Sequence, residues 1–123
     1  MAAVLSGLCL LMVAGCKPPE SPRYTADTTL AEQGHAVIEQ AGCAACHEIP
    51  GVTWPEGRIG PSLVGFDDIG LIAGAVPNTA ENLAAFLRNA PAVKPGSTMP
   101  RIPITPDEAR AAAAYLYGID DDV

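Results

Sequence analysis

At 123 residues the chain is long enough for one small domain and no more. Seven Lys and Arg against fourteen Asp and Glu leave a net charge of −7, which argues against nucleic acid and anionic lipid surfaces as partners. Aromatic residues make up only 5 %, so the protein supplies few large core side chains of its own.

Residues 1–15 carry no charged side chain and hold an apolar run from about Val4 to Ala14. The run is too short to cross a bilayer and reads as an export signal. Val13-Ala14-Gly15-Cys16 resembles a bacterial lipobox, which would make Cys16 the lipidated first residue of the mature chain. The missing Lys or Arg before the apolar run departs from that pattern, and an ordinary signal followed by a fortuitous cysteine is the alternative. Residues 16–28 then form a lipidated cysteine and a flexible, proline-rich tether, with Lys17-Pro18-Pro19-Glu20-Ser21-Pro22 too polar to pack. Stretched at about 3.3 Å per residue, residues 17–28 would reach roughly 40 Å from the membrane.

The domain proper is expected over residues 29–119. Its first helix opens with Thr29 and Glu32 in capping-box spacing and runs through Leu30, Val37, Ile38 and Ala41 to Gly42. His35 lies within it, where a solvated role is the default. Cys43-Ala44-Ala45-Cys46-His47 follows directly. Two thiols three residues apart, with histidine next, form the attachment signature of c-type haem. The thiols of Cys43 and Cys46 can add to the two vinyl groups of one porphyrin, and His47 then supplies one axial ligand. A thioredoxin-like dithiol would expect a βαβ setting, whereas the flanks read helical. A structural zinc site needs four ligands. The other cysteines, Cys9 and Cys16, belong to the leader and the lipid anchor.

From Ile49 to Pro77 the chain is rich in Gly and Pro, with no period-2 strand pattern. Within it, Gly60-Pro61-Ser62-Leu63 offers a carbonyl that could accept the Nδ1 proton of His47, which makes Pro61 a candidate orienting residue. Trp54, Arg58 and Tyr24 could donate to haem propionates or simply be solvated. A second helix is predicted from about Thr79 to Asn89, with Leu83, Phe86 and Leu87 on one stripe and Pro91 as a stop. The Pro-bracketed loop Lys94-Pro95-Gly96-Ser97-Thr98-Met99-Pro100 comes next. A third helix has Thr105 as N-cap, Pro106 in the first position, Glu108 in the third, and ends near Gly118. Residues 120–123 form an acidic tail.

Loops this long usually count against a compact domain. A buried macrocycle wrapped by those loops resolves that, and it also replaces the missing aromatic core. The second axial position separates carrier from catalyst. Met99 is the only methionine beyond the leader, and a thioether on a stiff loop suits a Met/His pair. The competing role for a lone methionine is core filling.

These features together resemble a class I cytochrome c. The likeness is carried by Gly34 to Ile38, the pentapeptide, Gly60-Pro61-Ser62-Leu63, Met99-Pro100 and the closing helix with Tyr115-Leu116. It implies an all-α fold of three main helices and long Gly/Pro-rich loops around one covalent haem c. It also implies that the carbonyl of Pro61 accepts from the ligating histidine, and that the first and last helices cross at Gly34. A more specific likeness runs through Ala41 to His47, Ala73 to Thr79, Glu81 to Arg88 and Val93 to Pro100. These segments resemble the cytochrome c domain attached to subunit II of caa-type haem-copper oxidases, where it hands electrons to a dinuclear copper centre. This chain shows no copper-binding domain and no transmembrane hairpin. Ala112 and Ile38 stand where larger or aromatic residues are usual.

The expected function is a lipid-anchored, exported, single-haem electron carrier, periplasmic or on the outer face of the bacterial cytoplasmic membrane. Its donor would be a quinol-oxidising complex or a dehydrogenase, and its acceptor a terminal oxidase. The alternatives are a tightly bound electron-transfer subunit of a dehydrogenase or oxidase complex, and a gas- or peroxide-reactive haem protein in which Met99 leaves the iron.

Overall fold

The computed structural model describes residues 27–119. The expected leader, Cys16, the tether, Tyr24 and the acidic tail lie outside the described residues.

Four helices and a small β-ladder make up this region. They are α1 (Thr28–Gln40), β1 (Leu71–Ile72), β2 (Val76–Pro77), α2 (Ala80–Arg88), α3 (Ala90–Val93) and α4 (Pro106–Gly118). The start of α1 differs from the capping box expected at Thr29. Asp27 is the cap, its carboxylate accepting from the backbone N–H groups of Thr29 at 3.0 Å and Leu30 at 3.4 Å. An aspartate just ahead of the two threonines outcompetes them, because its charged oxygen reaches the free N–H groups of the first turn. The helix ends at Gln40 with Ala41 as its cap, and Gly42 follows with a φ of 71°, a left-handed conformation that glycine adopts without strain.

α4 begins as the sequence predicts. Thr105 accepts from the Glu108 N–H at 3.2 Å, and the Glu108 carboxylate accepts from the Thr105 N–H at 2.7 Å. α2 is capped by Thr79 and buries Leu83 and Phe86. Pro91 plays a different part from the expected stop. α2 already ends where Asn89 leaves the helical region (φ −155°, ψ 72°), and Pro91 then sits in the first turn of α3, where its missing N–H leaves nothing unsatisfied.

The β1–β2 ladder was not expected from the sequence. It pairs Leu71 with Pro77 and Ile72 with Val76, antiparallel. Strands of two residues are too short to show an alternating pattern, so the turn carries the signal instead. Ala73 and Gly74 both take positive φ, and the Ala75 N–H donates to Ile72 O at 2.9 Å. Asn78 anchors the ladder to the rest of the fold. Its side-chain amide donates to the carbonyls of Phe66 and Ile69, both at 2.9 Å, and its oxygen accepts from the Tyr117 hydroxyl at 2.6 Å.

The principal packing is α1 against α4, with α2 also against α4. A Cβ on Gly34 would run into the carbonyl of Ala111 and come within 2.9 Å of the Tyr115 Cβ, so the two backbones touch there. Small residues make that approach feasible: Ala109, Ala111, Ala112, Ala113 and Ala114 are all buried in α4. Ile38 and Ala112, the two departures from the family pattern, are both fully packed at 1 % and 3 % exposure. Among the described residues Ile38, Ile72, Leu83 and Leu116 are large side chains buried almost completely.

Candidate haem site

Gly42 turns the chain out of α1 and directly into a tight 3-10 turn over Cys43–Ala45. The Cys43 carbonyl accepts from the N–H groups of Cys46 at 3.2 Å and His47 at 3.1 Å, so one turn of backbone holds both cysteines and the histidine. Both thiols are free and half-buried. Burial pushes the Cys43 thiol above its ordinary range, and the neighbouring Cys46 adds to this against an opposing backbone hydrogen bond.

The segment after the motif folds back on it. Gly57 N–H donates to Ala44 O at 2.8 Å, Gly60 N–H to Cys46 O at 2.7 Å, and Leu63 N–H to Glu48 O at 2.9 Å. This brings the Pro61 carbonyl 2.7 Å from Nδ1 of His47. A carbonyl only accepts, so Nδ1 carries the proton and Nε2 presents its lone pair. That tautomer is the one a histidine needs to ligate a metal through Nε2, with the carbonyl fixing the ring plane and raising its basicity. Gly60 lies against the same ring. A Cβ there would collide with Cε1 and come within 2.6 Å of Nδ1. Next to it, Ile59 exposes an apolar side chain.

Met99 is half-buried and packs against the same core cluster as Cys43. Its loop is stiffened by short local bonds. Lys94 N–H donates to Ala90 O at 2.8 Å, Ser97 N–H to Lys94 O at 3.0 Å, and Met99 N–H to the Ser97 hydroxyl at 3.2 Å. The structure thus gathers Cys43, Cys46, His47 and Pro61 into one bonded unit and sets Met99 on a separate, rigid loop over the shared core. Trp54 is 85 % exposed, and Arg58 pairs with Glu56 at 3.1 Å.

A family model described as Cytochrome c matches residues 31–120, well over half the chain. The chain belongs to the cytochrome c family. Its mostly helical class I architecture, with the small β1–β2 ladder added, and its Cys43-Ala44-Ala45-Cys46-His47 motif fit covalently bound haem c, because the His47 tautomer and the paired thiols are the donor set that group requires. This cytochrome is 36 % identical over 92 residues to a protein named Cytochrome c oxidase subunit 2 from Alkalihalophilus pseudofirmus, covering 74 % of this chain and 26 % of the relative. It is 29 % identical over 109 residues to a protein of the same name from Bacillus subtilis, covering 84 % of this chain and 30 % of the relative. The chain spans less than a third of the length of either relative. A cytochrome c domain is an electron-transfer module.

Two supporting residues were missed in the sequence. Tyr115 on α4 donates its hydroxyl to Pro50 O at 2.7 Å, pinning the chain just beyond the haem motif. His35, expected to be solvated, instead lies with its ring 5.0 Å from that of Tyr115 and its Nε2 3.4 Å from Gly51 O. Tyr115 was read only as part of the closing helix that carries the family likeness. Nothing in the local sequence indicated that its hydroxyl reaches a turn 65 residues earlier.

Proposed function

We propose that this cytochrome is a membrane-tethered monohaem carrier that passes single electrons along a respiratory chain to a haem-copper terminal oxidase. The observation that carries the reading is the His47–Pro61 hydrogen bond at 2.7 Å, which sets a histidine beside the paired thiols in its metal-ligating tautomer. Cys43 and Cys46 would hold the porphyrin as thioethers, and His47 through Nε2 and Met99 through its thioether would ligate its iron. Haem c supplies a one-electron couple that cycles between ferrous and ferric iron. With both His47 and Met99 as ligands no position would be left for substrate, and ligands on firmly bonded segments would keep the change on electron transfer small. The rigid Met99 loop and the closed Gly60–His47 contact serve that end.

Support for the destination is the likeness to two proteins named Cytochrome c oxidase subunit 2. The tether reading rests on the lipobox-like run ending at Cys16. It places the domain in the periplasm or on the outer face of the bacterial cytoplasmic membrane, with a quinol-oxidising complex or dehydrogenase as donor. No helix among the described residues is long and apolar enough to cross a membrane.

Optical spectra of M99A test the ligand pair. The weak ferric band of methionine ligation should vanish while the reduced haem c bands remain, and carbon monoxide should then bind the reduced protein. A ferric band unchanged in M99A would overturn the assignment. Acyl-chain labelling that fails equally with native Cys16 and with C16S would refute the lipid tether.

A fixed-subunit role draws on the same likeness, because both relatives are named as subunits. Stoichiometric recovery with an oxidase or dehydrogenase after detergent extraction would favour it over a mobile carrier.

A further inference from the structure

Short bonds fix the internal shape of the Met99 loop, but they do not hold the loop as a whole against the rest of the fold. Both its ends are tied to one place. The Lys94 N–H donates to Ala90 O at 2.8 Å, and beyond the loop the Ile102 N–H donates to Arg88 O at 3.2 Å. Asn89 and Arg101 form an antiparallel bridge beside them. Residues 95–100 therefore leave and rejoin the fold where α2 meets α3. One side chain reaches from the loop to a different region. Lys94 Nζ donates to the Ala73 carbonyl at 2.7 Å, on the turn between β1 and β2, across 21 residues of sequence. Among the described residues, the loop's other side-chain hydrogen bond, from the Met99 N–H to the Ser97 hydroxyl, is internal.

Two features set the Lys94 bond apart from an incidental surface contact. The chain carries fourteen acidic and seven basic residues, yet Lys94 has no carboxylate partner among the described residues and is held by a neutral carbonyl. That carbonyl belongs to Ala73, whose φ of 49° is the one positive value at a non-glycine position among the described residues. The left-handed region is crowded for an alanine, and such a conformation persists only where its surroundings hold it. The Ala75 N–H, bonded to Ile72 O at 2.9 Å, holds the turn from within. Lys94 holds it from outside.

We propose that Lys94 is a positioning residue for Met99: its ammonium latches the Met99 loop to the β1–β2 turn and so keeps added ligands from the haem iron. The inference rests on the reading of Met99 as an iron ligand, and it adds what decides how firmly that ligand stays in place. A single exposed hydrogen bond contributes little to global stability, because water competes for both partners. Its weight falls on local opening instead. The loop can swing about its shared base without breaking the α1–α4 packing or the bonds around His47. The free energy of that motion is small, and one charge-assisted bond is a sizeable part of it. Loss of the latch should raise the open population about fivefold and leave the closed structure unchanged.

Imidazole binding to the ferric, haem-loaded full chain tests this, because an added ligand reaches the iron only when Met99 leaves it. Binding to M99A should be fast. K94L removes the ammonium and keeps an apolar stem. It should retain the ferric methionine band yet bind imidazole about fivefold faster than the native protein. K94R can still donate to the carbonyl and should restore slow binding, while R110Q should change nothing. Hydrogen exchange supplies a readout independent of the iron. The Ser97 and Ala75 amides, one on each side of the latch, should exchange faster in K94L, and amides at the centre of α4 should keep their native rates. Native binding rates in K94L, or the same acceleration in K94R, overturn the proposal. Exchange raised equally in α4 would mean general destabilisation and overturns it as well. Fast binding to the native protein that M99A leaves unchanged would instead remove the methionine ligand, and the latch with it.

Discussion

The α1–α4 crossing and the loop segment 43–64 hold their shape by different means. At the crossing, Gly34 meets the Ala111 backbone and a row of alanines fills the interface, so close packing of small groups does the work. In the loop segment few side chains are buried, and the shape comes from backbone hydrogen bonds at Gly57, Gly60 and Leu63 together with the His47–Pro61 contact. The first region tolerates almost no added volume. The second is organised around an imidazole and is completed by the cofactor the family carries. Scaffold and site are joined by Tyr115, which packs at the crossing and bonds to Pro50 in the loop.

Substitution at the crossing should have the largest effect. In Gly34→Val the new Cβ meets backbone, which cannot rotate away, and the expected loss is about 3 kcal/mol or more, read from thermal unfolding of the haem-loaded protein. A loss below about 1 kcal/mol would show that the crossing is not close-packed. Gly60→Ala addresses the loop side. Its methyl would push the His47 ring off the Pro61 carbonyl, at a cost of about 1–3 kcal/mol and with a visible change in the haem spectrum. A spectrum unchanged with stability lost would separate packing from ligand orientation.

Tyr115→Phe tests the link between the two regions. Loss of the hydroxyl should cost about 1 kcal/mol. Burial raises the Tyr115 pKa above its ordinary value, and Glu39 adds to that. The folded state therefore keeps its proton after the unfolded chain has lost it. The associated stability is complete below about pH 10 and is lost as pH rises through the folded pKa. The phenylalanine variant should flatten that alkaline limb in pH-dependent denaturation. The smallest effect is expected at Glu108, where the backbone and side-chain hydrogen bonds from Thr105 lower the carboxyl pKa. Its contribution is present above the ordinary glutamate range and disappears as pH falls through the folded pKa. Denaturation curves of Glu108→Gln should lose that acid dependence, and no change would mean the capping box is not populated in solution.

Much of the site was legible because its signals are local. Cys43, Cys46 and His47 announce themselves by spacing, and Thr105, Pro106 and Glu108 mark the start of α4 by short-range capping chemistry. Asp27 was overlooked in favour of Thr29, because several polar residues in one stretch can cap and only the backbone path chooses among them. The β1–β2 ladder was overlooked because two-residue strands leave no periodic trace.

Sequence alone therefore determined the chemistry: one c-type haem motif, Met99 as the one methionine that follows it, on a stiff loop, and three main helices with long connections. These follow from neighbours a few residues apart, where propensity and spacing dominate. Tertiary structure decided what depends on distant segments meeting. It set the tautomer of His47 through Pro61 and the use of Tyr115 and His35 to hold the turn at Pro50 and Gly51. Each of these contacts joins positions 14 to 65 residues apart, and no local pattern encodes which distant backbone atom a side chain will reach.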